Sequence, residues 1–134
     1  MTQEDKKLLL ADLCARLPYG VKCYSVTTKG EPNTIGGYCE IFDDFYIREV
    51  SGWFNISMIK PYLRPMSSMT EEEHKEFAKV MVRSQDCSYQ NNESATTMVN
   101  DWYLSKGFDV RGLIPKGLAL EALEGMYNLK ENEI

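Results

Sequence analysis

The sequence predicts a single α+β domain over residues 1–134, with a β-rich part at 18–66 and a helical part at 70–125. Three observations predict this class. Apolar residues recur at helical spacing near the N-terminus, four short runs rich in β-branched and aromatic residues follow, and helical spacing returns after residue 70. A chain of 134 residues is large enough to bury most of its apolar surface without disulfides or metals.

Residues 3–17 are predicted to form an N-terminal helix. One face carries apolar residues, namely Leu9, Leu10, Leu13, Cys14 and Leu17. The charged residues, among them Asp12 and Arg16, are expected to lie largely off that face. Thr2 has the side chain and the position of an N-terminal cap, and Pro18 with Gly20 is expected to end the helix.

Four strands are predicted after this helix, at Val21–Thr28, Thr34–Phe42, Phe45–Val50 and Trp53–Met58. The turns between the last three are short, so the strands are expected to form an antiparallel meander. The Gly36-Gly37 pair indicates a bulge or a bend that curls the sheet. A small SH3-like barrel and a half-open sheet covered by helices both remain compatible with this pattern.

The segment Lys60–Glu73 connects the two parts of the chain. Pro61 and Pro65 lack backbone donors, so the segment is expected to be extended and outside any central ladder. Thr70 lies three residues before Glu73, which is the spacing of a capping box at the start of a helix. Two or three helices packed on the sheet are expected from here on, at 71–83 and 95–106, separated by a polar loop at 84–93. Asp109 is expected to cap a further turn.

Two segments of the second half are similar to a known group of sequences. Lys60-Pro-Tyr-Leu-Arg-Pro-Met-Ser-Ser-Met-Thr-Glu-Glu-Glu73, together with Asp101-Trp-Tyr and Phe108-Asp-Val-Arg-Gly-Leu-Ile-Pro-Lys-Gly-Leu-Ala-Leu-Glu121, resembles short uncharacterised reading frames carried by phages and prophages of gut bacteria. The resemblance covers roughly the second half of the chain. It implies a mobile-element context and supplies no activity, ligand or catalytic residue.

The net charge of −5 lies in residues 67–134, because residues 1–66 hold eight basic and eight acidic side chains. This charge argues against broad binding to a phosphate backbone, so nucleic acid is an unlikely partner. Weak nucleic-acid binding through the β half stays an alternative. It would use Lys22, Lys29, Arg48, Lys60 and Arg64.

The cysteines and the single histidine predict no metal site and no cofactor. Cys14, Cys23, Cys39 and Cys87 contain no C-x-x-C pair, so buried apolar roles are expected for them. His74 follows three glutamates that favour its charged form, which is a poor general base, so we expect a partly buried structural histidine. Asp101, Asp109 and Arg111 form the alternative polar site of a small enzyme or nucleotide-ligand binder, although a structural salt bridge explains them more simply.

Aromatic residues are the remaining signal. Adjacent pairs such as Phe45-Tyr46 and Trp53-Phe54 must point to opposite faces of the sheet, so one face is core and the other is either covered by helices or left for recognition. Tyr62 and Arg64 should project to one side of a stiff segment, and with Trp53 they form the predicted partner-binding patch. A structural role for Tyr62 and Arg64 is the competing hypothesis.

Together these observations predict a non-catalytic protein-binding module of a phage, a prophage or a related mobile element. A host or phage protein is the expected partner. The polar, acidic N-terminus and the lack of a long apolar run predict a cytoplasmic protein with no membrane contact.

Overall fold

Three helices and one sheet make up the described part of the chain, which is residues 1–25, 32–88, 92–123 and 126–127 of a computed structural model. Helix α1 spans Gln3–Arg16, α2 spans Glu71–Ser88 and α3 spans Asn92–Ser105. The strands are β1 Val21–Ser25, β2 Asn33–Cys39, β3 Asp44–Ile47, β4 Gly52–Asn55, β5 Ile59–Leu63 and β6 Leu120–Glu121. Residues 106–119 form turns between α3 and β6.

The strands lie in the order β4-β3-β2-β1-β5-β6. β1 to β4 form the expected antiparallel meander, β5 pairs with the other side of β1, and β6 adds two residues in parallel. The ladder between β2 and β3 shifts register between Ile35 and Gly37, at the predicted glycine bulge. Such a bulge bends its strand and increases the twist, which curls the sheet. The predicted α+β class is confirmed, with six strands in place of four.

Pro61 lies inside the sheet, so the expectation that its segment stays outside any central ladder is wrong. β5 has β1 on one side and β6 on the other. Opposite residues of an antiparallel pair alternate between hydrogen-bonded and non-hydrogen-bonded positions. Pro61 faces Cys23 at a non-hydrogen-bonded position, because the neighbouring Tyr62 carbonyl points into the gap between β1 and β5. The position where Pro61 lacks an N–H therefore faces away from β1, on the side of β6. The ladder between β5 and β6 begins only at Tyr62, so no hydrogen bond is lost there.

Two apolar clusters hold these layers together. The larger lies between α1 and the inner face of the sheet and consists of Leu9, Leu13, Val21, Cys23, Ile35, Phe45, Ile47, Ile56, Ile59, Leu63, Leu113, Leu118 and Ala119. The smaller lies where α2 and α3 meet the end of β5 and is built on Val80, Trp102 and Phe108. The helices α2 and α3 therefore pack together beside the end of β5.

The helix starts follow the sequence signals. The Thr2 hydroxyl accepts a hydrogen bond from the Asp5 N–H at 3.0 Å. The Glu73 N–H donates to the Thr70 hydroxyl at 3.1 Å, and the Thr70 N–H donates to the Glu73 carboxylate at 3.0 Å. This reciprocal pair is the predicted capping box.

The polar stretch after residue 83 belongs to helix. α2 continues to Ser88, and α3 begins at Asn92. The predicted loop at 84–93 is therefore wrong for its described residues. Residues 84–88 contain neither glycine nor proline, so nothing in their backbone chemistry ends the helix there.

Tyr127 joins the C-terminal segment to the sheet. Its hydroxyl donates to the Tyr62 carbonyl at 2.6 Å and accepts from the Lys22 N–H at 3.0 Å. The pairing of Cys23 with Pro61 implies that Lys22 lies opposite Tyr62 in the ladder between β1 and β5. The Tyr127 hydroxyl therefore bridges the Lys22 N–H and the Tyr62 carbonyl in place of a direct hydrogen bond between them. Burial raises the pKa of Tyr127 from its ordinary value of 10 to about 12, so the hydroxyl keeps its donor proton at pH values where a free phenol would lose it.

Candidate functional site

The outer face of the meander carries an exposed aromatic row. Gly37, Tyr46 and Trp53 are opposite one another on β2, β3 and β4. The rings of Tyr46 and Trp53 are 5.3 Å apart between centroids, and the indole of Trp53 reaches over Gly37. The side chain of Trp53 is 53% exposed. This face is therefore not covered by helices at Trp53, and the row presents two tilted aromatic rings, of which Trp53 is the more exposed.

The neighbouring row shows why the aromatic pairs divide between two faces. Tyr38, Phe45 and Phe54 are the next cross-strand partners, and Tyr38 stacks against Phe45 at 5.0 Å. Phe45 is fully buried, so this row belongs to the core. Alternation along a strand then directs Tyr46 and Trp53 outward, as the sequence predicts.

Exposed apolar side chains also lie in the two hairpin turns, one at each end of β3. Ile41 and Phe42 lie in the turn between β2 and β3, where they are 82% and 67% exposed. Val50 lies in the turn between β3 and β4 and is also exposed. The sequence did not mark Ile41 and Phe42 as turn residues, because the alternating pattern of residues 34–42 predicts a strand that continues through them. In the structure β2 ends at Cys39. We use the name β4 rim for this set of side chains on β3, β4 and the two hairpin turns: Ile41, Phe42, Tyr46, Val50 and Trp53.

The structure does not bring Tyr62 and Arg64 to the same surface as Trp53. β3, β2 and β1 lie between β4 and β5. Tyr62 is only 8% exposed, and its carbonyl accepts from Tyr127. Both residues are held within the fold, so of the predicted patch Trp53 is the member that faces solvent.

Arg64 joins β5 to the start of α2. Its two terminal nitrogens donate to the two carboxylate oxygens of Glu73 at 2.7 and 2.6 Å. The guanidinium lies 4.3 Å from the ring centroid of Phe108 and also reaches the Ser68 carbonyl. The Arg64 hydrogen bonds are the main reason that the pKa of Glu73 falls to about 2. This geometry favours the competing hypothesis of a structural Arg64, with Glu73 as its partner.

A Glu73→Gln variant is expected to lose about 1 to 3 kcal/mol of unfolding free energy at pH 7. Glutamine keeps the capping box, so the loss reports the ion pair. Because the folded-state pKa of Glu73 lies below its ordinary value of 4.5, the pair stabilises the fold fully above pH 4.5. That stabilisation disappears as the pH falls towards about 2. Urea unfolding of both proteins along this range measures the difference.

Glu71→Gln is the matched control, since it removes one carboxylate from the same first turn at an exposed position. Its loss should stay below about 1 kcal/mol. An equal loss in the two variants, or a Glu73→Gln loss that persists at pH 2, would show that the Arg64 pair is not the cause.

The residues of the alternative polar site are not brought together. Asp109 is buried and its carboxylate accepts from the Leu113 and Ile114 N–H groups at 2.8 and 3.0 Å, as the predicted cap of that turn. Arg111 donates to Asp12 at 2.9 Å. Asp101 is exposed and forms a hydrogen bond with Tyr19, which raises the pKa of that phenol. The three side chains serve three separate contacts.

Asp12 and Arg16 are fully buried, so the expectation that they lie off the apolar face is wrong. Arg16 donates to both carboxylate oxygens of Asp12, at 2.7 and 3.2 Å, and to the Phe108 carbonyl at 2.6 Å. Arg111 supplies a further donor to Asp12. Two charges one helical turn apart neutralise each other, which allows both to be buried. The one sequence signal for this ion pair was the four-residue spacing of Asp12 and Arg16, which places the two side chains next to each other on a helix.

The described residues offer few ligands for a metal or a covalent mechanism. No group of three or more His, Cys, Asp or Glu side chains is arranged around a common point in that part of the chain. Cys23 is buried, and burial raises the pKa of its thiol to about 12, as expected for an apolar role. Cys14 and Cys39 are half-buried free thiols, while the side chain of Cys87 lies outside the described residues. His74 is exposed, contrary to the expected partial burial, because it lies on the solvent side of α2.

No described helix has both the length and the apolar character that a membrane span requires. Scans against family models and searches of curated proteins and of solved structures found no match to this chain.

Proposed function

We propose that this chain is a non-catalytic protein-binding module and that the β4 rim is its contact surface. The observation that carries the proposal is the exposure of Trp53 beside the neighbouring ring of Tyr46. Tryptophan and tyrosine are enriched among residues that dominate interfaces, because they bring a large contact area at a small entropic cost. An indole that is half exposed and in contact with a neighbouring ring is well suited to this role.

The surroundings of Trp53 support a surface larger than one ring. Ile41, Phe42 and Val50 are exposed along the same two hairpins. An exposed apolar patch on a folded domain is typical of a site for another macromolecule. The alternative hypothesis of a small enzyme requires Asp101, Asp109 and Arg111 to lie together. Each of them makes a separate structural contact instead, so the geometry gives that hypothesis no support.

A host or phage protein is the proposed partner, and this choice rests on the resemblance of the second half to phage and prophage reading frames. Nucleic acid is less favoured. Lys22 donates to Thr34 and Arg64 is held by Glu73, so two of the five basic residues considered for that role are engaged within the fold.

A Trp53→Ala variant is expected to lose partner capture while keeping its fold. Tagged wild-type and variant proteins, passed over lysates of a gut bacterium, should differ in one or a few captured proteins identified by mass spectrometry. Loss of a central interface tryptophan weakens binding by roughly tenfold to a thousandfold. The unfolding free energy should fall by less than about 1 kcal/mol, because the side chain is half exposed.

Val82→Ala is the matched control, since Val82 is 60% exposed on α2 and far from the β4 rim in the fold. Its capture profile should equal that of the wild type. A Trp53→Ala profile identical to the wild type would remove the β4 rim as the contact surface.

A further inference from the structure

We propose that the partner binds by adding an extended, basic segment to the edge of β4 as a further strand of the sheet. This inference rests on the proposed function and adds the binding mode and the chemistry of the partner. In the described part of the chain β4 pairs with β3 alone and forms one end of the sheet. The outer edge of the β4 backbone is therefore in place to pair with another strand.

The hydrogen-bond pattern identifies which backbone groups face that edge. The Arg48 N–H donates to the Thr34 carbonyl on β2, and the Ile56 N–H donates to the Asp43 carbonyl. Because N–H and C=O groups alternate sides along a strand, Phe54 and Gly52 face β3 together with Ile56. Trp53 and Asn55 then direct their N–H and C=O groups away from the sheet. The edge presents the N–H and the carbonyl of Trp53 and the N–H of Asn55, while the Asn55 carbonyl, at the N-cap of the 3₁₀ turn Ile56–Met58, accepts the first hydrogen bond of that turn.

This edge lacks the usual protection against strand addition. Natural edge strands are blocked by charged side chains, by proline or by a bulge. Gly52–Asn55 contains none of these residues, and the whole stretch 50–59 is free of Asp, Glu, Lys, Arg and His. The bulge of this sheet lies in β2, two strands away. An uncharged edge strand next to an exposed tryptophan is typical of a strand that pairs with a partner.

Charge favours a basic segment over a second copy of the chain. Residues 40–59, which form the two hairpins and the edge, hold four carboxylates and one arginine. The whole chain has a net charge of −5, so two copies repel each other whereas a cationic segment is attracted. A partner side chain beside Trp53 on the outer face also meets an exposed indole, on which lysine and arginine stack favourably.

Asn55 allows the backbone donor to be removed separately. Its φ is −62°, which is the value that proline requires. Asn55→Pro therefore deletes the outward N–H with little strain and places the ring at the open edge. Both Asn55→Pro and Asn55→Ala lose the same side-chain hydrogen bonds, to the Phe42 carbonyl and the Ser57 N–H. The difference between these two variants isolates the edge donor.

The test selects peptides of about ten residues, enough to pass the length of the edge, from a displayed random library against the wild-type protein. We expect the selected peptides to be rich in lysine and arginine. They should bind Asn55→Ala within about threefold of the wild type and Asn55→Pro about tenfold or more weakly. Their binding should also be lost in the Trp53→Ala variant. Far-ultraviolet circular dichroism and urea unfolding establish that the variants are folded.

The remaining outcomes separate the two proposals. Trp53-dependent peptides that bind Asn55→Pro and Asn55→Ala equally would overturn strand addition and leave the protein-binding function standing. A proline-sensitive set with no excess of basic residues would overturn the stated partner chemistry. A dimer seen by sedimentation for Asn55→Ala but not for Asn55→Pro would make a second copy the occupant. Absence of any Trp53-dependent peptide would count against both proposals.

Discussion

An Arg16→Met variant is expected to lose about 3 to 5 kcal/mol of unfolding free energy, the largest effect among the substitutions considered for this fold. Arg16 and Asp12 are almost completely removed from solvent. Methionine would fill much of the space but leave the Asp12 carboxylate with Arg111 as its charged neighbour. It would also leave the Phe108 carbonyl without the donor that reaches it at 2.6 Å. Urea unfolding at pH 7 measures the loss.

A double variant, Asp12→Leu/Arg16→Met, should be clearly more stable than the sum of the two single losses predicts. It removes both charges together, and apolar replacements of buried ion pairs are often close to neutral. Lys6→Ala is the control on the same helix, because Lys6 pairs with Asp43 at 3.5 Å with both side chains about one-third exposed. Its cost should stay below about 1 kcal/mol. An Arg16→Met loss as small as that of Lys6→Ala would mean that the buried pair is not needed for the fold.

Gly107→Ala is expected to cost about 2 to 5 kcal/mol through two additive causes. Gly107 has a φ of +81°, and an added Cβ would lie 2.9 Å from the ring of Tyr127. The left-handed conformation costs an alanine about 1 to 2 kcal/mol. Overpacking against a ring that is also tied to β1 and β5 costs a further 1 to 3 kcal/mol, roughly. Thermal unfolding of the purified variant tests this value.

Gly117→Ala separates the two causes. Gly117 has a similar φ of +76°, but no atom lies within 4 Å of the added Cβ. This control should therefore show only the conformational cost. If Gly107→Ala and Gly117→Ala lose the same free energy, the ring of Tyr127 does not constrain Gly107.

The features that the sequence predicted are those set by neighbouring residues. Thr2 and Thr70 begin helices because a hydroxyl three residues before a backbone N–H is in place to cap it. Gly36-Gly37 marks the bulge, and alternation along the strands divides the pairs Phe45-Tyr46 and Trp53-Phe54 between two faces. The sequence left open whether helices cover the second face, and the structure shows that Trp53 is exposed there.

The features that the sequence did not predict depend on residues far apart in the chain. Pro61 is tolerated inside the sheet because its missing donor points to the side where β6 has not yet begun. Arg16 is buried because the Phe108 carbonyl, 92 residues away, completes its surroundings. Composition and periodicity carry no information on such pairings.

The placement of β5 between β1 and β6 has a consequence for the order of folding. β2, β3 and β4 are joined by short turns, so their pairing closes small loops and is expected early. The contacts of β1 and β5 with the C-terminal part join residues 105 and 65 positions apart, through Lys22, Tyr62 and Tyr127. Closing such loops is slow, so the two sides of the sheet are expected to form at different times. The β4 edge is then exposed before the rest of the domain is complete, and in that interval it is the part of the sheet most open to edge-to-edge pairing.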